Sequence, residues 1–322
     1  MTPAPDRQQP FRVLSIDGGG IKGVFAASFL AGLEKDLGEP LVDYFDLIAG
    51  TSTGGIIALG LGLGLSAQEI LEFYEKNGPN IFPKRRGLQL RQLRSAKYSQ
   101  GVLRNALIDA FGNRLLGESK TRLVIPSLNL ETGKVHVFKT AHHERFERDY
   151  KERAVEVALA TAAAPTYFPT HRLSNGVSLI DGGLWANNPM GVAAVEAVGL
   201  LEIPKSDVRL LSVSCTEEAM TTVDKSSAGL GLAFWARKLL AMTMSAQSSS
   251  ALGTAQLLLG HEHVIRVSPD VGGGKYKLDG ADGIASLKAL GDSESREGHP
   301  RIKAIFFDGK RAPFRPIKEI QR

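Results

Sequence analysis

One cysteine, Cys215, is all the chain has in 322 residues, so no disulfide can form within it and a reducing, cytoplasmic setting is expected. Long apolar runs are also missing. The longest, Ile56 to Leu65, is short and interrupted by glycines at 60, 62 and 64, so no membrane-spanning helix is expected. The first ten residues lack an apolar stretch of the secretory kind and are expected to be a flexible segment ahead of one large domain at 11–322. No Gly-Lys-Ser or Gly-Lys-Thr is present, which excludes a nucleotide-binding P-loop. What remains is an ordinary globular composition, 43% hydrophobic and 23% charged, able to bury a substantial core.

The net charge of +5 is concentrated rather than spread. Lys84, Arg85, Arg86, Arg91, Arg94, Lys97 and Arg104 fall between Pro83 and Arg104 with no acidic residue among them, interleaved with Leu88, Leu90 and Leu93. A basic amphipathic segment of this kind suits an anionic surface, each cation near an acidic bilayer contributing about 1 kcal/mol. A solvated loop kept charged for solubility has the same composition, and the two readings stand side by side.

Apolar periodicity gives the element order. Phe11 to Ile16 reads as a strand that ends in the loop Asp17-Gly18-Gly19-Gly20-Ile21-Lys22-Gly23, and Val24 to Leu37 as a helix closed by Gly38. A second strand, Tyr44 to Ala49, precedes helices at Ile56 to Leu65 and Ala67 to Asn77. Further helices are expected at Gly101 to Phe111, Met190 to Leu201 and Leu230 to Leu259. Strands are expected at Arg122 to Leu130, Val135 to Phe138, Val177 to Ile180, Val208 to Val213 and His263 to Val267, with a hairpin at Asn175-Gly176. Such alternation argues for an α/β fold with a mainly parallel sheet covered on both faces.

Three glycine-rich corners follow predicted strands. Gly50-Thr51-Ser52-Thr53-Gly54 has the strand, sharp turn and helix order that lifts a serine nucleophile clear of a sheet, with Gly50 and Gly54 making the elbow. The loop from Gly18 to Gly23 brings bare amides close to a substrate oxygen, as an oxyanion hole requires. It also satisfies Gly-x-Gly-x-x-Gly, so a dinucleotide site is the rival. That rival needs a carboxylate at the end of the second strand, and Asp36, Glu39 and Asp43 fall in a helix end, a turn and a pre-strand position. The third corner, Asp181-Gly182-Gly183, ends a strand, where parallel-sheet enzymes gather their sites; a turn-forming aspartate is the plainer use. No histidine is better placed as a base for Ser52, and His171 alone lies near a corner.

Together the corners resemble the patatin-like phospholipase family, in family order. Leu184-Trp185-Ala186-Asn187-Asn188-Pro189, Ala163 to Pro169, Lys97-Tyr98, Val264-Ile265-Arg266 and Leu278-Asp279 extend the resemblance over nearly the whole chain. Ser214-Cys215-Thr216 departs from it, where relatives usually carry Gly-Thr-Gly. The resemblance implies a three-layer α/β/α fold and a Ser52–Asp181 dyad that hydrolyses acyl esters of membrane phospholipids without metal, calcium or other cofactor. It also implies an oxyanion hole at Gly18, Gly19, Gly20 and Gly23, and an aspartate turn at Gly182 and Gly183. Lys22 is a candidate for adding positive potential near the phosphate headgroup, a solvent-facing helix residue being its plainer use. The chain is also similar to patatin-like effectors switched on by cyclic oligonucleotides in anti-phage signalling, which implies a cyclic dinucleotide activator. Arg85, Arg86, Arg91, Arg94, Lys97 and Tyr98 are the candidate anion-binding residues. The expected partners are the inner face of the membrane, reached from the cytoplasm, and a further copy of the chain, with no DNA or RNA polymer. A dinucleotide-binding protein and a catalytically silent scaffold are the alternatives.

Overall fold

Alternation along the strands decides the layering. In the computed structural model, which describes residues 9–84, 95–218, 232–272 and 275–320, β1 (Phe11–Ile16) is buried along its whole length. Successive side chains point to opposite faces, and the buried apolar residues sort accordingly. Leu14, Ile16, Ile48, Ile125, Leu211 and Val213 enter one core, while Val13, Leu47, Ala49, Val124 and Leu210 enter a second. Two cores on one sheet mean three layers.

Beside β1 lie β2 (Leu47–Gly50) and β7 (Val208–Val213), both parallel to it. The sheet extends through β3 (Arg122–Asn129), parallel to β2, and through β9 (Val264–Val267), parallel to β7. Beyond β3 the direction changes: β4 (Val135–Lys139) and β6 (Ser178–Asp181) run antiparallel to it, and β5 (His171–Arg172) antiparallel to β6. The expected mainly parallel α/β sheet is present, with a mixed edge. β8 (Glu217–Glu218) and β10 (Asp270–Val271) form a separate small ribbon.

The first core is covered by α1 (Gly23–Leu37), α2 (Thr53–Gly62), α3 (Ala67–Ile81), α4 (Gln100–Phe111) and α5 (Ala154–Thr161). A capping box, Ser66 with Glu69, starts α3 one residue ahead of its first turn. The helix then runs four residues past the expected end at Asn77. The second core lies under α7 (Met190–Val195) and α8 (Leu232–Leu259), while α6 (Gly183–Ala186) is a single turn after β6. After α7 the helix expected to continue to Leu201 passes into a π-helical turn over Glu196–Leu200. The last helix, α9 (Ile284–Phe306), was not signalled by apolar spacing.

Mixed direction has a consequence for the site. Ala49 on β2 is level with Val124 on β3, whereas Asp181 is level with Ser127, three residues further along β3. At about 3.3 Å per residue, β6 descends from above and stops just over the C-terminal edge of the parallel strands. Asp181 is therefore delivered from an antiparallel strand, not from the parallel set that its position in the sequence suggested.

Candidate active site

Ser52 stands between β2 and α2 with φ 55° and ψ −120°. Left-handed backbone at a non-glycine residue costs of order 1–3 kcal/mol and persists only where neighbours enforce it. Gly54 supplies that enforcement: a Cβ there would lie 2.3 Å from the Ile16 carbonyl oxygen and 2.6 Å from that of Asp17, so only glycine lets α2 start against the end of β1. Gly50 is equally close to the Gly54 carbonyl. The Ser52 amide donates to Thr161 Oγ1 at 3.0 Å, and Thr161 in turn donates to the Pro126 carbonyl at 2.6 Å. Thr51 Oγ1 donates to the Ala186 carbonyl at 2.6 Å, tying the elbow to the aspartate turn.

The Ser52 hydroxyl donates to Asp181 Oδ2 at 2.7 Å. The other carboxylate oxygen accepts from the Gly183 amide at 2.7 Å, while Gly182 packs against the Pro126 carbonyl. Burial pushes the Asp181 carboxyl up to about 6 from its ordinary value, against the lowering effect of the Gly183 amide and the Ser52 hydroxyl. Near neutral pH it is ionised and a better base than a solvated carboxylate.

Among the described residues no histidine bonds to either group. His171 pairs with Glu156 at 3.0 Å and His142 with Glu196 at 2.9 Å, so these two are buried structural links.

Around Ser52 the glycine loop divides into two roles. The amide of Gly18 donates to the Asn187 carbonyl at 2.9 Å, and that of Gly23 to the carbonyls of Gly20 and Ile21. Neither is open to a substrate oxygen, which corrects the expectation for these two residues. Gly18 instead lets the loop close on Ser52, and Gly23 lets it close on Thr53. Gly19 and Gly20 line the pocket beside Ser52, and no hydrogen bond engages their amides among the described residues. The first amide of α2, that of Thr53, lacks an intrahelical partner by position. Together these are the donors that an anion over Ser52 would meet. Arg266 fixes the loop from below, forking onto both oxygens of Asp17 at 2.8 and 2.6 Å.

The pocket runs from these donors into an apolar slot lined by Ile56, Phe73, Ile81, Phe82, Leu103 and Phe168. Tyr74 stands at its wall and donates to the Thr53 carbonyl at 3.0 Å, its hydroxyl held neutral by burial. Asn187 reaches the same space, with its Oδ1 buried and unpartnered. Tyr74 had no signal in the sequence beyond lying in the expected helix Ala67 to Asn77, and Thr161 had none. Lys97 and Tyr98 are not available as anion receptors: both bond to Asp279, and Tyr98 is buried. Arg85, Arg86, Arg91 and Arg94 lie outside the described residues. Lys22 is half-buried at the end of the glycine loop. The dinucleotide alternative lacks its ribose carboxylate, since β2 ends in Gly50 and Glu39 and Asp43 pair with Lys310.

What such an arrangement does chemically is move an acyl group: a hydroxyl on a carboxylate, unengaged amides above it and an apolar slot alongside make the α/β protein an acyl hydrolase by class. Residues 14–194 match the family model described as "Patatin-like phospholipase". A cGAMP-activated phospholipase of Pseudomonas aeruginosa is 36% identical, over 92% of this chain and 89% of its own. One from Vibrio cholerae is 37% identical, over 73% and 74%. Among solved structures, human GIVD cytosolic phospholipase A2 in complex with methyl gamma-linolenyl fluorophosphonate aligns with a TM-score of 0.46 at 12% identity, covering 94% of this chain and 60% of its own. The chain belongs to the patatin-like phospholipase family and is a lipid acyl hydrolase.

Proposed function

We propose that the protein hydrolyses acyl esters of membrane phospholipids through Ser52 and Asp181, by way of an acyl-enzyme, and that a cyclic dinucleotide activates it in defence against phage. The observation that carries the first part is the 2.7 Å bond from the Ser52 hydroxyl to a buried, otherwise solvent-shielded carboxylate. As Ser52 Oγ attacks the ester carbonyl, its proton passes to Asp181 Oδ2, and the developing oxyanion is met by the amides of Gly19, Gly20 and Thr53. Collapse expels the lysophospholipid alcohol, which takes the proton from Asp181. Water then attacks the acyl-serine, giving its proton to the same carboxylate, and the fatty acid leaves as Ser52 is restored. A carboxylate is a weaker base than imidazole, so the amides carry more of the barrier; losing one such donor typically costs about 3 kcal/mol. No metal or calcium enters these steps.

The second part is supported by the relatives in Pseudomonas aeruginosa and Vibrio cholerae, which are cGAMP-activated phospholipases. Among the described residues no helix is long and apolar enough to cross a membrane, and the reading places the enzyme at the membrane face as a peripheral protein. Fatty-acid release from mixed phospholipid vesicles tests both parts, using wild type, Ser52→Ala and Asp181→Asn, with and without a cyclic dinucleotide panel, each repeated under a calcium chelator. Release by wild type alone, raised by one dinucleotide and indifferent to the chelator, is expected. Equal release by all three proteins would remove the dyad, and wild-type release unchanged by every dinucleotide would remove the switch.

A further inference from the structure

The back of the glycine loop is closed by a segment far away in sequence. The Leu278 carbonyl accepts from the Ile21 amide at 2.8 Å, and a Cβ on Gly20, whose φ is +58°, would lie only 2.2 Å from that oxygen. Where Leu278 sits thus fixes where the peptides of Gly19, Gly20 and Ile21 sit. The next residue, Asp279, accepts the Tyr98 hydroxyl at 2.7 Å and the Lys97 ammonium, both on Oδ2. Lys97 and Tyr98 are held in turn by the pocket wall: their amides donate to the Thr166 and Tyr167 carbonyls at 2.8 Å each. The Tyr98 ring packs against Phe82 and Phe168, and the Lys97 ammonium lies over the Tyr98 and Tyr167 rings.

We propose that Lys97, Tyr98 and Asp279 are positioning residues for the oxyanion donors, holding the Gly19 and Gly20 amides in register with Ser52 through the Leu278 carbonyl. The proposal rests on the acyl-hydrolase reading above and deepens it. Preformed donors stabilise charge only when they are already aimed at where it develops, and a displacement of a few tenths of an ångström forfeits part of that gain. A flexible glycine loop cannot hold such aim alone. One carboxylate, its side chain only 12% exposed, with a hydroxyl and an ammonium on a single oxygen, supplies a rigid anchor. The cluster also joins the apolar slot to the anion site, because Phe82, Tyr167 and Phe168 line the one and Gly19 and Gly20 the other.

The test uses the whole chain as wild type, Tyr98→Phe, Asp279→Asn, Ser52→Ala and a control, Lys288→Ala, which breaks a surface pair with Glu75. A soluble short-chain ester gives kcat and KM. Two inhibitors are compared: a trifluoromethyl ketone, whose serine adduct carries an oxyanion, and the matching methylene compound without a carbonyl. For Asp279→Asn, kcat is expected to fall about tenfold or more, and KM to change by less than about twofold. Inhibition by the ketone should weaken in proportion to kcat/KM across the variants, while the methylene compound binds as before and Lys288→Ala is unchanged. Tyr98→Phe removes a single hydroxyl and provides the milder case should Asp279→Asn fold poorly. Unchanged kcat in folded Tyr98→Phe and Asp279→Asn would overturn the proposal, as would equal weakening of both inhibitors. Full hydrolysis by Ser52→Ala would overturn the underlying reading instead, so the two failures are distinguishable.

Discussion

Asp181 is stabilising in one protonation state and useful in the other. Its folded value near 6 lies above its ordinary 3.8, so the folded protein holds the proton more tightly than the unfolded chain. Stability from this residue is therefore complete below about pH 4 and is lost as pH rises through about 6, a difference of roughly 3 kcal/mol. On the proposed mechanism activity has the opposite sense, because only the carboxylate can accept the serine proton. The kcat/KM profile is expected to rise through an apparent value near 6, and Asp181→Asn to be inactive and to melt above wild type at pH 8 but not at pH 4. Thermal melts at the two pH values check this, and an Asn variant less stable at pH 8 would contradict it. Thr216 is a second residue under strain. It has φ 68° and a buried hydroxyl without a partner, at the position where the family resemblance leads one to expect glycine. β-branched residues rarely adopt that conformation. Relief of strain and of the unpaired hydroxyl outweighs the chain entropy of glycine, so Thr216→Gly is expected to stabilise by about 1 kcal/mol. A lower melting temperature would count against this.

Elements differ in how openly the sequence announces them. α1 and α3 carry large apolar residues at helical spacing and were legible, as were the strands of the parallel set. α9 was not, although it packs along α1 for much of its 23 residues. Its buried face includes Gly291 and Ser295 beside Leu287, Ile302 and Phe306, and Gly291 lies against Phe25 and Ser28 on α1. Contact through small residues leaves little apolar periodicity to read. Gly32 on α1 meets Ser295 in the same way, a Cβ there lying 2.1 Å from the Ser295 hydroxyl. Gly32→Val is expected to force the helices apart and cost about 1–3 kcal/mol, measured by urea unfolding; a neutral result would mean that the contact is looser than described. The site shows the same division. Ser52, Asp181, Gly19 and Gly20 were legible because strand-to-turn corners carry a local signature. The roles of Thr161, Tyr74 and the Asp279 cluster were not, although Lys97-Tyr98 and Leu278-Asp279 stood out as family-like segments, because those roles arise from contacts across 109, 21 and 181 residues of chain. Gly18 and Gly23 were misassigned as donors, because a motif gives residue types and not which amides are already engaged.

Across the whole molecule, β1, the β2–α2 turn and the descending β6 bring three distant corners to one edge of the sheet. Arg266 on β9 and Leu278 beyond it hold the glycine loop from behind. Ser52, Asp181 and the amides of Gly19 and Gly20 come from separate elements, so their convergence is a property of the whole sheet and not of any motif. On the proposed mechanism Ser52, activated by Asp181, takes the acyl group. Rapid mixing of wild type with a slowly turned-over ester, followed by acid quenching and peptide mass analysis, traps that intermediate. An acyl adduct is expected on the peptide holding Ser52, formed at least about a hundredfold more slowly in Asp181→Asn and absent in Ser52→Ala. An adduct on any other residue, or one formed at the wild-type rate in Asp181→Asn, would contradict it.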